Sequence, residues 1–517
     1  MSWVSKKSTI IIAFTTVLLF AILFPLYNTI NFMQNDDWVY YWQIGHFLAG
    51  HFDIHNYIEA TFYTQGILGL IFSKLFGLEK LPILTLLMAV LNFFLFTHIL
   101  NRFYLKKVFD SILIGLLFFI SPLHAYASIG FMTDIYFLFF ILLTFVFVEY
   151  YIETDKTLYF ALANIAGLAG FFSRQLSVIS LIALLFFLLY KKKYTYAAIE
   201  FAGVATLLIY YFFFYPLTSL MQQNHGFRFL NIFDFKYMYT SIFISIFYAV
   251  VFIIPLLIAI FYNYISKNLN KIWLVLALTV GIFGASLVFF SADLLRHDNM
   301  FYMHGVLVRN GFFYGTSLGT KYQIKYEDQI YNVWDIVSKV AVALTITLLI
   351  LHYKKLLNYF TIYISLYIGV LSIMLITYDR YTLAFTPVAI IIFFEIFKDF
   401  KFSTVSRIIV IVGLLVTLLY SYNFTMEFIT LNRYLWTRAN SIYAKGGTQK
   451  NKISAGYAWR RNFPNSTGTY RYLFYFQPYY TLPENLACCY SIKETYNIKF
   501  PLSIFDDAKI YMYKKTF

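Results

Sequence analysis

Long apolar runs alternate with short basic clusters along almost the whole chain. A helix that crosses a bilayer needs about 20 mainly apolar residues. Runs that approach or meet this length lie near 9–31, 81–101, 109–128, 132–152, 157–173, 175–190, 195–215, 237–262, 271–290, 334–352, 357–377, 382–398 and 404–424. The pattern therefore predicts about thirteen transmembrane helices, the fifth and sixth short enough to form a tight hairpin.

Residues 64–78 (TQGILGLIFSKLFGL) are ambiguous, and the basic residues decide their placement. If this segment does not span, Arg102, Lys106, Lys107, Lys156, Lys191, Lys192, Lys193, Lys267, Lys271, Lys354, Lys355, Lys398, Lys401 and Arg407 all fall on the side of Lys6 and Lys7. That is the positive-inside distribution. The segment is short and carries Lys74, so it reads as an amphipathic helix lying at the interface. The N-terminal run is long for a cleaved leader and no small-residue cleavage site follows it, so it reads as a retained first helix with a cytoplasmic N-terminus. The outer face then holds the loop 32–80, a loop near 216–236, the loop 291–333, the turn 378–381 and the tail. The expected division is a transmembrane module, 1–424, and a small α+β extracytoplasmic domain, 425–517. Its Tyr-rich alternating stretches, such as TYRYLFYFQPYY at 469–480, predict strands.

Composition agrees. Of 517 residues, 60% are hydrophobic and 13% charged, with mean hydropathy +0.67, about half the charge of a soluble protein. The net charge of +15 would suit nucleic acid, but the basic residues sit between apolar runs as topology signals, so no nucleic-acid partner is expected. Cys488 and Cys489 are adjacent and read as two free thiols or as a strained vicinal disulfide, and resemble neither a disulfide framework nor a metal site. No glycine-rich phosphate loop follows a strand.

Candidate chemistry gathers on the outer face. Asp36 and Asp37 end the first apolar run, and read either as solvated loop acids or as site acids. Asp134 lies at the mouth of the fourth helix, where it either caps the helix or faces a site. Arg174 is an outward arginine against the topology bias. It reads as a snorkelling side chain or as a partner for a phosphate, which a guanidinium binds as a fork. Asp379, Arg380 and Tyr381 form a compact turn between two apolar helices, in which the two charges could pair with each other. Acids and arginines on one face suit attack by a hydroxyl or amine on a phosphate-linked sugar. Such a step needs a base for the proton and a cation for the departing phosphate. The phosphate leaves without a general acid, and displacement by one base inverts the anomeric centre.

These motifs together resemble the GT-C superfamily of polytopic glycosyltransferases, in particular protein O-mannosyltransferases and bacterial lipid A aminoarabinose transferases (glycosyltransferase family 39-like). The resemblance rests on the acidic pair opening a long first loop and on LFG at 75–77. It also rests on Pro122 followed by Asp134, SRQ at 173–175, and Arg380-Tyr381 followed by Pro387. The tail YLWTRANSIYAKGGTQKNKISAGYAW at 434–459 contributes as well. Asp37 stands where the family usually has Glu, and the prolines that often precede the interfacial helix are missing from 59–69.

The resemblance implies a polyprenyl-phosphate sugar donor, an envelope acceptor (lipid, glycan or protein) and a bacterial inner membrane with the site facing outward. It implies Asp36 or Asp37 as catalytic acid of the first loop and Asp134 as a second functional acid. Arg174, Arg380 and Tyr381 would hold the donor phosphate, and Tyr40, His55 and Tyr63 of the first loop would face the acceptor. No cofactor is specified. Some GT-C enzymes use a divalent metal; here no spacing prescribes one, so metal dependence stays open. The alternative class is a transporter, flippase or polymerase of lipid-linked glycans. A transporter would carry charges buried at mid-membrane, and the predicted helices are expected to be poor in them.

Overall fold

The computed structural model describes residues 3–34, 36–55, 57–58, 61–215, 242, 245–289, 327–374, 379–398, 400–465, 469–477, 489–497 and 509–516. The expected loops 216–236 and 291–333, the start of the helix expected at 237–262, and Cys488 lie wholly or largely outside these residues. So does the side chain of Asp379.

Helices dominate. In chain order they are α1 (Trp3–Asn28), α2 (Asp37–Leu48), α3 (Tyr63–Phe76), α4 (Leu81–Ile99), α5 (Val108–Phe119) and α6 (Pro122–Ala127). There follow α7 (Thr133–Thr154), α8 (Thr157–Phe171), α9 (Val178–Tyr190), α10 (Tyr194–Ile209), α11 (Ile254–Lys267) and α12 (Ile272–Phe289). The remainder are α13 (Glu327–Leu351), α14 (Tyr359–Ile373), α15 (Phe385–Ile396), α16 (Thr404–Ala444) and α17 (Tyr457–Asn462). Seven helical segments among the described residues are long and apolar enough to cross a membrane, and five apolar helices are shorter. The chain is thus a polytopic, mainly α-helical membrane-type protein. Thirteen full-length spans are not reached among these residues, because several of the expected runs form helices of only 12–15 residues.

The core is a bundle in which α7 packs on α8 and α4, α4 on α1 and α5, and α14 on α9. Its interior is aromatic: Phe145 meets Tyr359, Phe360 and Tyr363 edge-on, at 5.1–5.8 Å between ring centres. Edge contacts of this kind are the preferred aromatic arrangement.

The interfacial expectation for 64–78 corresponds to α3. One side buries Gln65, Gly66, Gly69, Leu70 and Ser73. The other exposes Ile67, Ile71 and Leu75, four residues apart, beside Lys74. An apolar stripe of this spacing, rimmed by charge, is what a helix lying on a bilayer surface presents.

The tail departs from a simple two-part division. The last long helix, α16, continues without a break to Ala444, so the expected boundary at 424/425 falls inside it. A four-stranded sheet follows, with β1 (Ile453–Ser454), β2 (Tyr472–Gln477), β3 (Tyr490–Asn497) and β4 (Lys509–Lys515) in the order β1-β2-β4-β3. β1 runs parallel to β2; the other pairs are antiparallel. The sheet is tied to α16 where the Tyr434 hydroxyl donates to Glu494 Oε1 at 2.8 Å, Arg438 pairs with Glu494, and Tyr434 stacks on Tyr496. Meanwhile α17 packs against α2, with Arg461 over the Tyr57 ring. Tail and first loop therefore form one continuous head on the bundle.

Candidate functional site

The acid pair splits at the start of α2. Asp37 is fully buried. Its Oδ2 accepts the amide protons of Gln34 and Phe131, both at 3.0 Å, which joins the first loop to the chain entering α7. Gly130 makes this approach feasible, because a Cβ there would lie 2.1 Å from Asp37 Oδ2. Burial pushes the Asp37 carboxyl up to about 7; the two amides oppose the shift, and Asp36 adds to it. Asp36 occupies the N-cap position of α2 but makes no capping bond, and its side chain is 23% exposed.

Asp134 lies in the first turn of α7, and Met132, not Asp134, occupies the N-cap. Its Oδ1 accepts from Arg174 at 2.5 Å, with the two side chains 2% and 9% exposed. A buried charge requires such a partner, which explains the outward arginine in SRQ. Burial disfavours the Arg174 charge, but Asp134 and neighbouring groups more than offset this, so its pKa lies above the ordinary arginine value. The guanidinium also sits 4.0 Å from the centre of the Tyr381 ring, a favourable cation–π distance. Tyr381 is held in turn by its carbonyl, which accepts from the Tyr367 hydroxyl at 2.9 Å.

Arg380 joins the two acids. Its nitrogens lie 3.8 Å from Asp36 Oδ2 and 3.9 Å from Asp134 Oδ2. These are ion-pair distances, longer than hydrogen bonds. Tyr40, one turn along α2 from Asp36, feels Arg380, Asp36, Arg174 and Asp134 together; burial is the main cause that raises its phenol. Residues 36, 40, 134, 174, 380 and 381 thus come from four distant stretches to one end of the bundle.

Two expected site residues lie elsewhere. His55 belongs to a loop beside Trp42 and Gln43, its Nδ1 accepting from Tyr57 N. Tyr63 faces Phe172 and Tyr210. Just before it, Phe62 adopts φ +34°, a left-handed conformation that Thr61 supports by donating to the Phe171 carbonyl. Gln34, Gly130 and Tyr367 support the site and carry no motif in the sequence.

The helices also hold buried acids, two of them toward helix ends and one, Glu200, near the middle. Asp110 on α5 pairs with Arg407 on α16 through bonds of 2.8 and 3.1 Å, Glu149 on α7 accepts from the Tyr104 hydroxyl, and Glu200 on α10 is 1% exposed. A cavity of about 750 Å³ lies at the opposite end of the bundle, lined by residues that include Arg102, Glu149, Lys191 and Lys398.

No known protein family, curated protein or solved structure matches the chain.

Proposed function

We propose that the chain is an integral membrane glycosyltransferase of GT-C type that moves a sugar from a polyprenyl-phosphate donor to an envelope acceptor. The observation that carries this reading is the convergence of Asp36, Asp134, Arg174 and Arg380 at one bundle end. In this reading the shorter apolar helices also cross the bilayer, giving about thirteen spans, and this end faces away from the cytoplasm of a bacterial inner membrane.

In this reading the three acids have different tasks, and their environments support the division. Asp37 is committed to two backbone amides and Asp134 to Arg174. Asp36 is the most exposed of the three, so it takes the proton from the acceptor hydroxyl or amine. The acceptor atom bonds to the anomeric carbon as the bond from that carbon to the phosphate oxygen breaks. The bonding electrons leave with the phosphate, and the configuration inverts. Arg380, at ion-pair distance from both acids, receives the phosphate charge, while Asp134 and Tyr381 hold Arg174 beside it.

Purified protein in lipid, given an extracted pool of polyprenyl-phosphate sugars and envelope acceptors, should release polyprenyl phosphate. Asp36→Asn should lower the rate by about 10²–10⁴-fold, the contribution of a general base, or roughly 3–5 kcal/mol of barrier. Unchanged turnover in a folded Asp36→Asn protein would remove Asp36 as the base.

Glu200, buried in the middle of α10, favours the transport alternative. Movement of a lipid-linked sugar across vesicles, without release of polyprenyl phosphate, would select that alternative.

A further inference from the structure

The loop after α2 brings together side chains that the reaction above does not use. His46 lies in the last turn of α2. The chain then turns through Gly50 at φ +90°, and His51 N donates back to the His46 carbonyl at 3.1 Å. The positive φ favours glycine, which lets the following residues double back toward the helix. The His46 and His51 rings stack at 4.8 Å between centres. Asp53 follows, its Oδ1 3.1 Å from His46 Nε2. One ligand-type atom from each of His46, His51 and Asp53 lies within 4.8 Å of the others.

This return is pinned from beneath. Gln43, one turn before His46, is fully buried. Its Nε2 donates to the Asp53 carbonyl at 2.6 Å, and its Oε1 accepts from His55 N at 2.8 Å. Trp42 stacks on the His46 ring at 4.8 Å and fixes its plane. Together these contacts hold the Asp53 backbone and the plane of the His46 ring in place.

We propose that His46, His51 and Asp53 form a divalent transition-metal site of the zinc class. Two imidazoles and one carboxylate suit borderline ions such as zinc rather than magnesium or calcium, which favour all-oxygen ligands. Bonds of about 2.0–2.2 Å place neighbouring ligand atoms roughly 3–4 Å apart. The His46–Asp53 pair already has this separation, and the exposed His51 closes by side-chain rotation. Three protein ligands leave a fourth position for water. The ion would clip the end of α2 to the returning loop. This assignment is independent of the transferase reading.

The test uses tag-free full-length protein in detergent or nanodiscs, equilibrated with zinc chloride. Metal analysis should give one zinc per chain, and competition with a chromophoric chelator gives the affinity. His46→Ala and His51→Ala should each weaken binding at least about tenfold, and Asp53→Asn should weaken it less. His55→Ala, which alters a neighbouring non-ligand, should leave it unchanged. Cobalt should give a visible absorption band that is lost in His51→Ala, a change at an exposed side chain that leaves the core untouched. Less than one zinc per chain, or equal affinity in wild type and the His46→Ala/His51→Ala double variant, would overturn the assignment and leave a His–Asp surface pair only.

Discussion

Asp37 offers a measurement that separates it from Asp36. The folded protein holds the Asp37 proton up to about pH 7, chiefly because burial disfavours the carboxylate. The unfolded chain releases that proton near the ordinary 3.8. Below 3.8 both states are protonated, and the contribution of Asp37 to stability is complete. As pH rises toward 7 only the unfolded state gains by ionising, so this contribution is lost. Between pH 5 and pH 7 the difference spans two pH units at about 1.36 kcal/mol each, a loss of roughly 2–3 kcal/mol. Asp37→Asn keeps an acceptor for the Gln34 and Phe131 amides and has no proton to lose. The asparagine variant should therefore gain roughly 2–3 kcal/mol on wild type between pH 5 and pH 8. Thermal or SDS-induced unfolding of both proteins in the same micelles at the two pH values measures this directly, since groups common to both cancel. Parallel stability curves would refute the reasoning and place the Asp37 carboxyl in a solvated setting.

Other outcomes follow from the same geometry. Arg174→Gln leaves the buried Asp134 with only the longer Arg380 contact and should cost up to about 3–5 kcal/mol, and adding Asp134→Asn should recover part of the lost melting temperature. Gly130→Ala forces a Cβ against Asp37 Oδ2 and should cost about 1–3 kcal/mol through the broken Phe131 amide bond. Combined with Asp37→Ala, its effect should be less than additive. Glu494→Gln weakens a pair that is about one-third exposed, so global stability should change by no more than ~1 kcal/mol. Limited proteolysis should nevertheless cut the sheet region faster.

The helical runs were legible because lipid demands long apolar segments, and expected limits such as 132–152 and 157–173 agree with α7 and α8 within two residues. That 64–78 forms a helix with an exposed apolar stripe was legible for the same kind of reason, the stripe and Lys74 being local. Which of the two adjacent acids is buried was not legible. That depends on the Phe131 amide, 94 residues away, and on the space that Gly130 leaves. The Asp134–Arg174 pair spans 40 residues and joins two motifs that each read plausibly alone. The extent of α16 was missed because its sequence turns polar after 424, although Phe428, Ile429, Leu431 and Leu435 stay buried in the core, and that polarity read as the start of a separate domain. His46, His51 and Asp53 stood in plain view, but their spacing matters only once Gly50 reverses the chain.

The bond between α5 and α16 imposes an order on biosynthesis. Asp110 is buried, and its partner Arg407 is made 297 residues later. At about 5–20 residues per second, the ribosome needs roughly 15–60 s to bridge that gap. Until then Asp110, in the first turn of α5, lacks the guanidinium it pairs with. The pair therefore forms only when the last long helix arrives. Arg380 also emerges only just before α16. The charged cluster is therefore completed at nearly the moment when α16 closes over α5, so an incomplete chain would lack both its closing helix and the Arg380 that joins Asp36 and Asp134.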